Sequence, residues 1–102
     1  MLLFWLACNT TPAPIVCQDL AAGLDQDICR SKHMETLDTP QAASLEAVLI
    51  ADPVVRGAAV MRWVETHNKH WNPQQVLPLC DELKGRDRGS CYRRVQSAHL
   101  NR

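Results

Sequence analysis

The chain has 102 residues, with 11 basic and 11 acidic side chains and no net formal charge. That length holds one compact domain and no more. Balanced charge argues against nucleic-acid binding, which calls for a strongly positive domain. No apolar run approaches the roughly 20 residues of a membrane-spanning helix. Charged residues at 22% and only six prolines are not the composition of a disordered chain.

The first eight residues, MLLFWLAC, are all apolar, and residues 9–14 are polar and dotted with proline. An export signal joins a basic start, an apolar middle and a small residue before the cut. Here the middle and the small residue are present and the basic start is missing. Trp5-Leu6-Ala7-Cys8 resembles the end of a bacterial lipoprotein signal, although leucine is usual in that family where Trp5 stands. The resemblance implies that Cys8 is lipidated, becomes the first mature residue and anchors the protein to a membrane. So short a block points to a start called too late, with Met1 not the true beginning. The bland alternative makes residues 2–6 the first turns of a buried helix. The expected organisation is a leader over 1–7, a linker over 8–14 and a single helical domain over 15–102.

The first predicted helices span 14–22 and 26–37 and carry Cys17 and Cys29. With export, the five cysteines sort themselves: Cys8 takes lipid, while Cys17, Cys29, Cys80 and Cys91 form two disulfides. No Cys-x-x-Cys occurs, so neither a zinc ribbon nor a thioredoxin-type pair is indicated. Val16-Cys17-Gln18-Asp19-Leu20 parallels Leu79-Cys80-Asp81-Glu82-Leu83, and a second cysteine follows each after a similar interval. Each interval contains glycine (Gly23; Gly85 and Gly89) and reads as helix, turn, helix. Local pairing, Cys17 with Cys29 and Cys80 with Cys91, is therefore favoured. Crossed pairing is the alternative. It would resemble the twin Cys-x9-Cys hairpins of the mitochondrial intermembrane space, but poorly, since glycines interrupt both intervals here. In a reducing cytosol the chain would instead be a helical adaptor with free thiols.

Helices are next predicted over 40–51 and 53–68. Thr39-Pro40 and Asp52-Pro53 each place a capping oxygen before a proline at the first helical position, where its missing N–H costs nothing. Val54, Ala58, Met61 and Val64 recur at helical spacing, widened by Val60 and Trp63, and predict an inward stripe. Leu45, Val48 and Leu49 supply a matching face on the helix before, with Arg56, Arg62 and Glu65 toward water. Leu45…Leu49…Asp52-Pro53…Val55-Arg56…Ala59 resembles a single HEAT-type unit. In that family the aspartate and arginine tie the loop between the helices. It occurs once, so no repeat array follows.

The last helices are predicted over 73–84 and 89–99, with Asn72 and Gln75 at the spacing of a capping box. No stretch alternates with β-branched residues, so no strand is predicted. The expected fold is all-α: a small orthogonal or antiparallel bundle of five to six short helices, stapled by two disulfides.

Candidate chemistry is sparse. His67 and His70 stand at i,i+3 spacing, which lets two imidazoles share one metal ion, with Glu65 as a weakly placed third ligand. The plainer reading is a wet helix end whose dipole favours cationic imidazole. Ser31, Ser44, Ser90 and Ser97 lie in no nucleophile turn, and no phosphate loop or carboxylate pair stands out. No catalytic role or cofactor is expected. Residues 17–52 carry seven acids and two bases, and residues 80–102 six bases and three acids. The basic end, with Arg86, Arg88, Arg93 and Arg94 around Tyr92, is a solvated face or a surface for a protein or anionic headgroup. Trp63 is expected in the core. Trp71, Arg93 and Arg94 are the candidate partner contacts. Together these features predict an exported, lipid-anchored binding or structural module of the bacterial envelope. A metal-binding protein using His67 and His70 is the runner-up.

Overall fold

The computed structural model describes residues 16–100, with side chains described to residue 97. The expected leader, linker and lipidated Cys8 lie outside the described residues. Among the described residues five helices follow a short 3-10 turn at Cys17–Asp19: α1 (Leu24–Glu35), α2 (Pro40–Ala47), α3 (Pro53–His67), α4 (Pro73–Cys80) and α5 (Gly85–Leu100). A second 3-10 turn, Asn68–His70, closes α3, and no strand occurs among the described residues. The fold is all-α and stapled by two disulfides, as the sequence predicts.

Helix starts follow their caps. Thr39 Oγ1 accepts from the backbone N–H of Ala42 at 3.1 Å. Asp52 Oδ1 accepts from Val54 and Val55 at 2.8 and 3.1 Å. At α4 the Gln75 side chain accepts the Asn72 backbone N–H at 2.9 Å, the return half of a capping box. Helix ends depart from expectation. Of the segment predicted as helix 14–22, the described residues 16–22 hold only three residues of 3-10 helix, because the chain must fold back to bring Cys17 within a Cα–Cα distance of 5.5 Å of Cys29. The helix predicted over 40–51 stops at Ala47, where Leu49 and Ile50 donate to carbonyls three residues back. That predicted over 73–84 stops at Cys80, two residues after Pro78, whose ring interrupts the ladder. The last helix begins four residues before its predicted start. Gly85 takes the turn, with φ +59°, and Gly89 continues the helix instead of breaking it.

The core gathers Met34 of α1, Ala43 and Ala47 of α2, Ile50, then Ala59, Val60, Trp63 and Val64 of α3. Val76, Leu79 and Cys80 of α4, Leu83, and Cys91 and Val95 of α5 complete it. Each fully buried Val, Leu, Ile or Met side chain contributes roughly 1.5–3 kcal/mol by leaving water. The indole N–H of Trp63 donates to the Leu37 carbonyl at 2.9 Å, so its polar atom is satisfied inside the core.

The expected inward face of α2 is corrected. Leu45, Val48 and Leu49 point to solvent, and the alanines Ala43 and Ala47 face the core. Small side chains let α2 pack closely against α1, α3 and α4. The α3 stripe is corrected too: Val54 and Ala58 are exposed, Met61 is half-buried, and Gly57, Ala59, Val60, Trp63 and Val64 are buried. Arg56, expected in water, is half-buried and hydrogen-bonded.

Candidate functional site

Both disulfides form locally. Cys17 bonds Cys29 across 12 positions and Cys80 bonds Cys91 across 11, each with a Cα–Cα distance of 5.5 Å. In the chain-entropy account a loop of that length stabilises the fold by about 3 kcal/mol. Their settings differ. Cys80 and Cys91 are wholly inaccessible, joining α4 to α5 within the core. Cys17 and Cys29 line a surface hollow of about 450 Å³ with Leu20 and Ile28.

His67 and His70 sit in different settings. The His67 ring stacks on Trp63, centroids 4.5 Å apart, and its Nδ1 lies 3.2 Å from the Trp63 carbonyl. His70 sits exposed in the 3-10 turn. Glu65 pairs instead with Arg94 at 2.9 Å. Among the described residues no group of three or more histidine, cysteine or acidic side chains is placed to hold a metal ion.

The basic end is partly engaged. Arg94 is held by Glu65. Arg88 Nε donates to the Leu83 carbonyl at 3.1 Å, capping the turn before α5. Arg93 is exposed and donates to Ser90 Oγ at 3.2 Å. Tyr92 hydrogen-bonds Asp81 through its phenol, and this bond raises its pKa above the ordinary value of 10.0. Trp71 is half-buried and packs against the core, which leaves only part of its ring to a partner.

The surface feature that sequence reasoning missed lies at the α2–α3 corner. Leu45 is 72% exposed, Val48 and Leu49 52% each, and Val54 77%. Leu45, Val48 and Leu49 stand at i, i+3 and i+4, and Val54 opens the next helix. Four large aliphatic side chains within ten residues of chain thus face water, while alanines a few positions away are buried. Singly exposed apolar residues are ordinary; grouped ones mark interaction surfaces. Helical spacing groups Leu45, Val48 and Leu49 on one face, and that face turns outward rather than inward.

The corner is held rigidly. The buried carboxylate of Asp27 on α1 accepts from the backbone N–H of Ala51 and of Asp52, both at 3.0 Å. The guanidinium of Arg56 clasps the Ile50 carbonyl through Nε at 2.9 Å and a terminal nitrogen at 2.6 Å. Its other terminal nitrogen reaches the Glu82 carbonyl at 3.3 Å. Glu46 of α2 accepts from Arg30 at 3.2 Å, and His33 Nδ1 stands 3.1 Å from its other oxygen. The corner thus presents exposed aliphatic side chains on a hydrogen-bonded frame. No described helix is long and apolar enough to cross a membrane. The disulfides are compatible with an oxidising compartment outside the cytoplasm. The chain matches no protein-family model, no curated protein and no solved structure.

Proposed function

We propose that the protein is a non-enzymatic, exported binding module of the bacterial envelope, anchored through lipid on Cys8 and engaging a protein partner with its α2–α3 corner. The observation that carries the binding reading is the exposure of Leu45, Val48, Leu49 and Val54 on a corner fixed by Asp27 and Arg56. A rigid surface loses little conformational freedom on docking, so more of the apolar contact energy becomes affinity. The two intrachain disulfides support export, because such bonds persist where thiols are not kept reduced. They also favour this reading over an intracellular adaptor with free thiols. The pairing of Glu65 with Arg94 engages the expected third ligand, which weighs against the metal-binding alternative.

The test has two arms. Intact mass of protein from its native host reads the mature N-terminus, acyl chains on Cys8 and the number of bridged sulfurs together. An unlipidated, fully reduced product ends the export reading. In the second arm, crosslinking in intact cells compares wild type with Leu49→Glu, an exposed substitution that leaves the core untouched. The binding reading predicts a specific adduct that the variant loses; adducts of equal yield, or none, reject it.

A further inference from the structure

We propose that the Cys17–Cys29 disulfide is a thiol-exchange site, opened by low-molecular-weight thiols while Cys80–Cys91 stays closed. The two bonds have nearly equal loop lengths, so their difference lies in access. Both sulfurs of Cys80–Cys91 belong to residues with 0% exposure, enclosed among core side chains. Cys17 is 8% exposed, Cys29 is half-buried, and together they form part of the wall of a surface hollow. Exchange requires a thiolate to reach one sulfur of the pair, so rate follows access as well as thiolate chemistry. The hollow, about 450 Å³ with Leu20 and Ile28 beside the bond, falls within the size range that admits a small-molecule ligand. Asp25, Lys32, His33 and Thr36 complete its lining.

Cys29 is the more exposed half and the point of attack. The incoming thiolate bonds to Cys29 Sγ, the sulfur–sulfur bond breaks, and Cys17 leaves as a thiolate that takes a proton from water. A second thiolate then attacks the incoming sulfur of the mixed disulfide. This frees Cys29 and releases the two small thiols joined as their disulfide. Two electrons pass to the protein bond, and two thiols are oxidised.

Opening this bond loosens a segment, not the fold. Besides the disulfide, hydrogen bonds from Gln26 Nε2 to the carbonyls of Cys17 at 3.2 Å and Leu20 at 3.3 Å tie the 3-10 turn to α1. Cys17 is the turn's one buried residue, and it stands outside the core cluster that joins the five helices. Reduction therefore leaves residues 16–20 held to α1 by those hydrogen bonds alone, while the helical body persists. The inference does not depend on export or on the α2–α3 corner.

The experiment uses the full chain with both disulfides formed, exposed to millimolar reduced glutathione. Samples are quenched with iodoacetamide at intervals, and the peptides are mapped by mass spectrometry. Cys17 and Cys29 are expected to become alkylated at least about ten-fold faster than Cys80 and Cys91, with the transient glutathione adduct on Cys29. Far-UV circular dichroism should hold through that first phase. Equal rates, prior opening of Cys80–Cys91, or loss of helix during the first phase would each overturn the proposal. The double variant C17S/C29S supplies a second reading: Cys80–Cys91 should react at its slow wild-type rate, and acceleration to the fast rate counts against the proposal. Should that variant fail to fold, the proposal is likewise refuted, since the body would then need the bond.

Discussion

Asp27 and Asp52 meet across 25 positions of chain, with the buried carboxylate of the first accepting the backbone N–H of the second at 3.0 Å. The other oxygen of Asp27 accepts from Ala51, also at 3.0 Å. The Asp52 side chain meanwhile caps α3. One carboxylate thus sets the loop and the next starts the helix that leaves it. Removing Asp27 strands two backbone donors beneath the corner, and each charge-assisted bond is worth roughly 1.5–3 kcal/mol net. Asp27→Ala is expected to cost about 3 kcal/mol and lower the melting temperature by more than about 10 °C. Asp27→Asn keeps one acceptor and turns an amide N–H against the other donor, so it should fall between. Thermal and urea denaturation followed by circular dichroism reads both; a loss below about 1 kcal/mol for alanine would contradict this account.

Arg56 ties the same corner to the other end of the fold. It holds the Ile50 carbonyl with two nitrogens and reaches the Glu82 carbonyl with a third. Lysine has the charge but a single ammonium, which cannot span both acceptors. Arg56→Lys should therefore destabilise by about 2 kcal/mol, nearly as much as Arg56→Ala. Urea unfolding of the two variants separates geometry from charge: a lysine variant as stable as wild type would mean that positive charge alone suffices.

The parts of the fold legible in the sequence are those set by neighbours along the chain. Thr39, Asp52 and Asn72 start helices through caps a few residues long, and the intervals after Cys17 and Cys80 each contain the turn that pairs their sulfurs. Periodicity states which residues share a face, but not which face turns inward. On α2 it grouped Leu45, Val48 and Leu49, yet the alanine side is buried because it lets the helices approach closely. The ends of α2 and α4 were hidden for a related reason: they are set by i→i+3 turns and by Pro78, not by a break in apolar spacing. Asp27 gave no local signal at all. On an acidic, amphipathic helix it reads as one more solvated charge, and its partners lie on the far side of α2.

Two glycines should respond to alanine with opposite sign. Gly85 sits at φ +59°, a left-handed conformation that costs a residue with a Cβ about 1 kcal/mol, although no atom crowds the position. Gly57 is buried within α3 in ordinary helical geometry, and an added Cβ would stand 3.1 Å from Asp87 Oδ2. Asp87 is exposed and its carboxylate can swing aside. The helix-propensity gain of up to about 1 kcal/mol should then outweigh the shift. Gly57→Ala is expected to raise the urea midpoint and Gly85→Ala to lower it. A drop for both would show that Asp87 cannot yield.

Tyr92 supplies a pH signature of the contact between α5 and the turn after α4. Its pKa is raised above 10.0, first by the hydrogen bond to Asp81, then by desolvation and by the charge of that carboxylate, with the Arg88 cation opposing. A phenol that holds its proton more tightly when folded adds stability that is fully present below the unfolded pKa near 10. That contribution is lost as pH rises through the higher folded value. Because Tyr92 is the sole tyrosine, ultraviolet absorbance of phenolate formation reports it alone. The folded protein should titrate above the ordinary tyrosine range, and Asp81→Ala should bring the midpoint back toward 10. Wild type and variant titrating together would mean that the Tyr92–Asp81 bond is not made in solution.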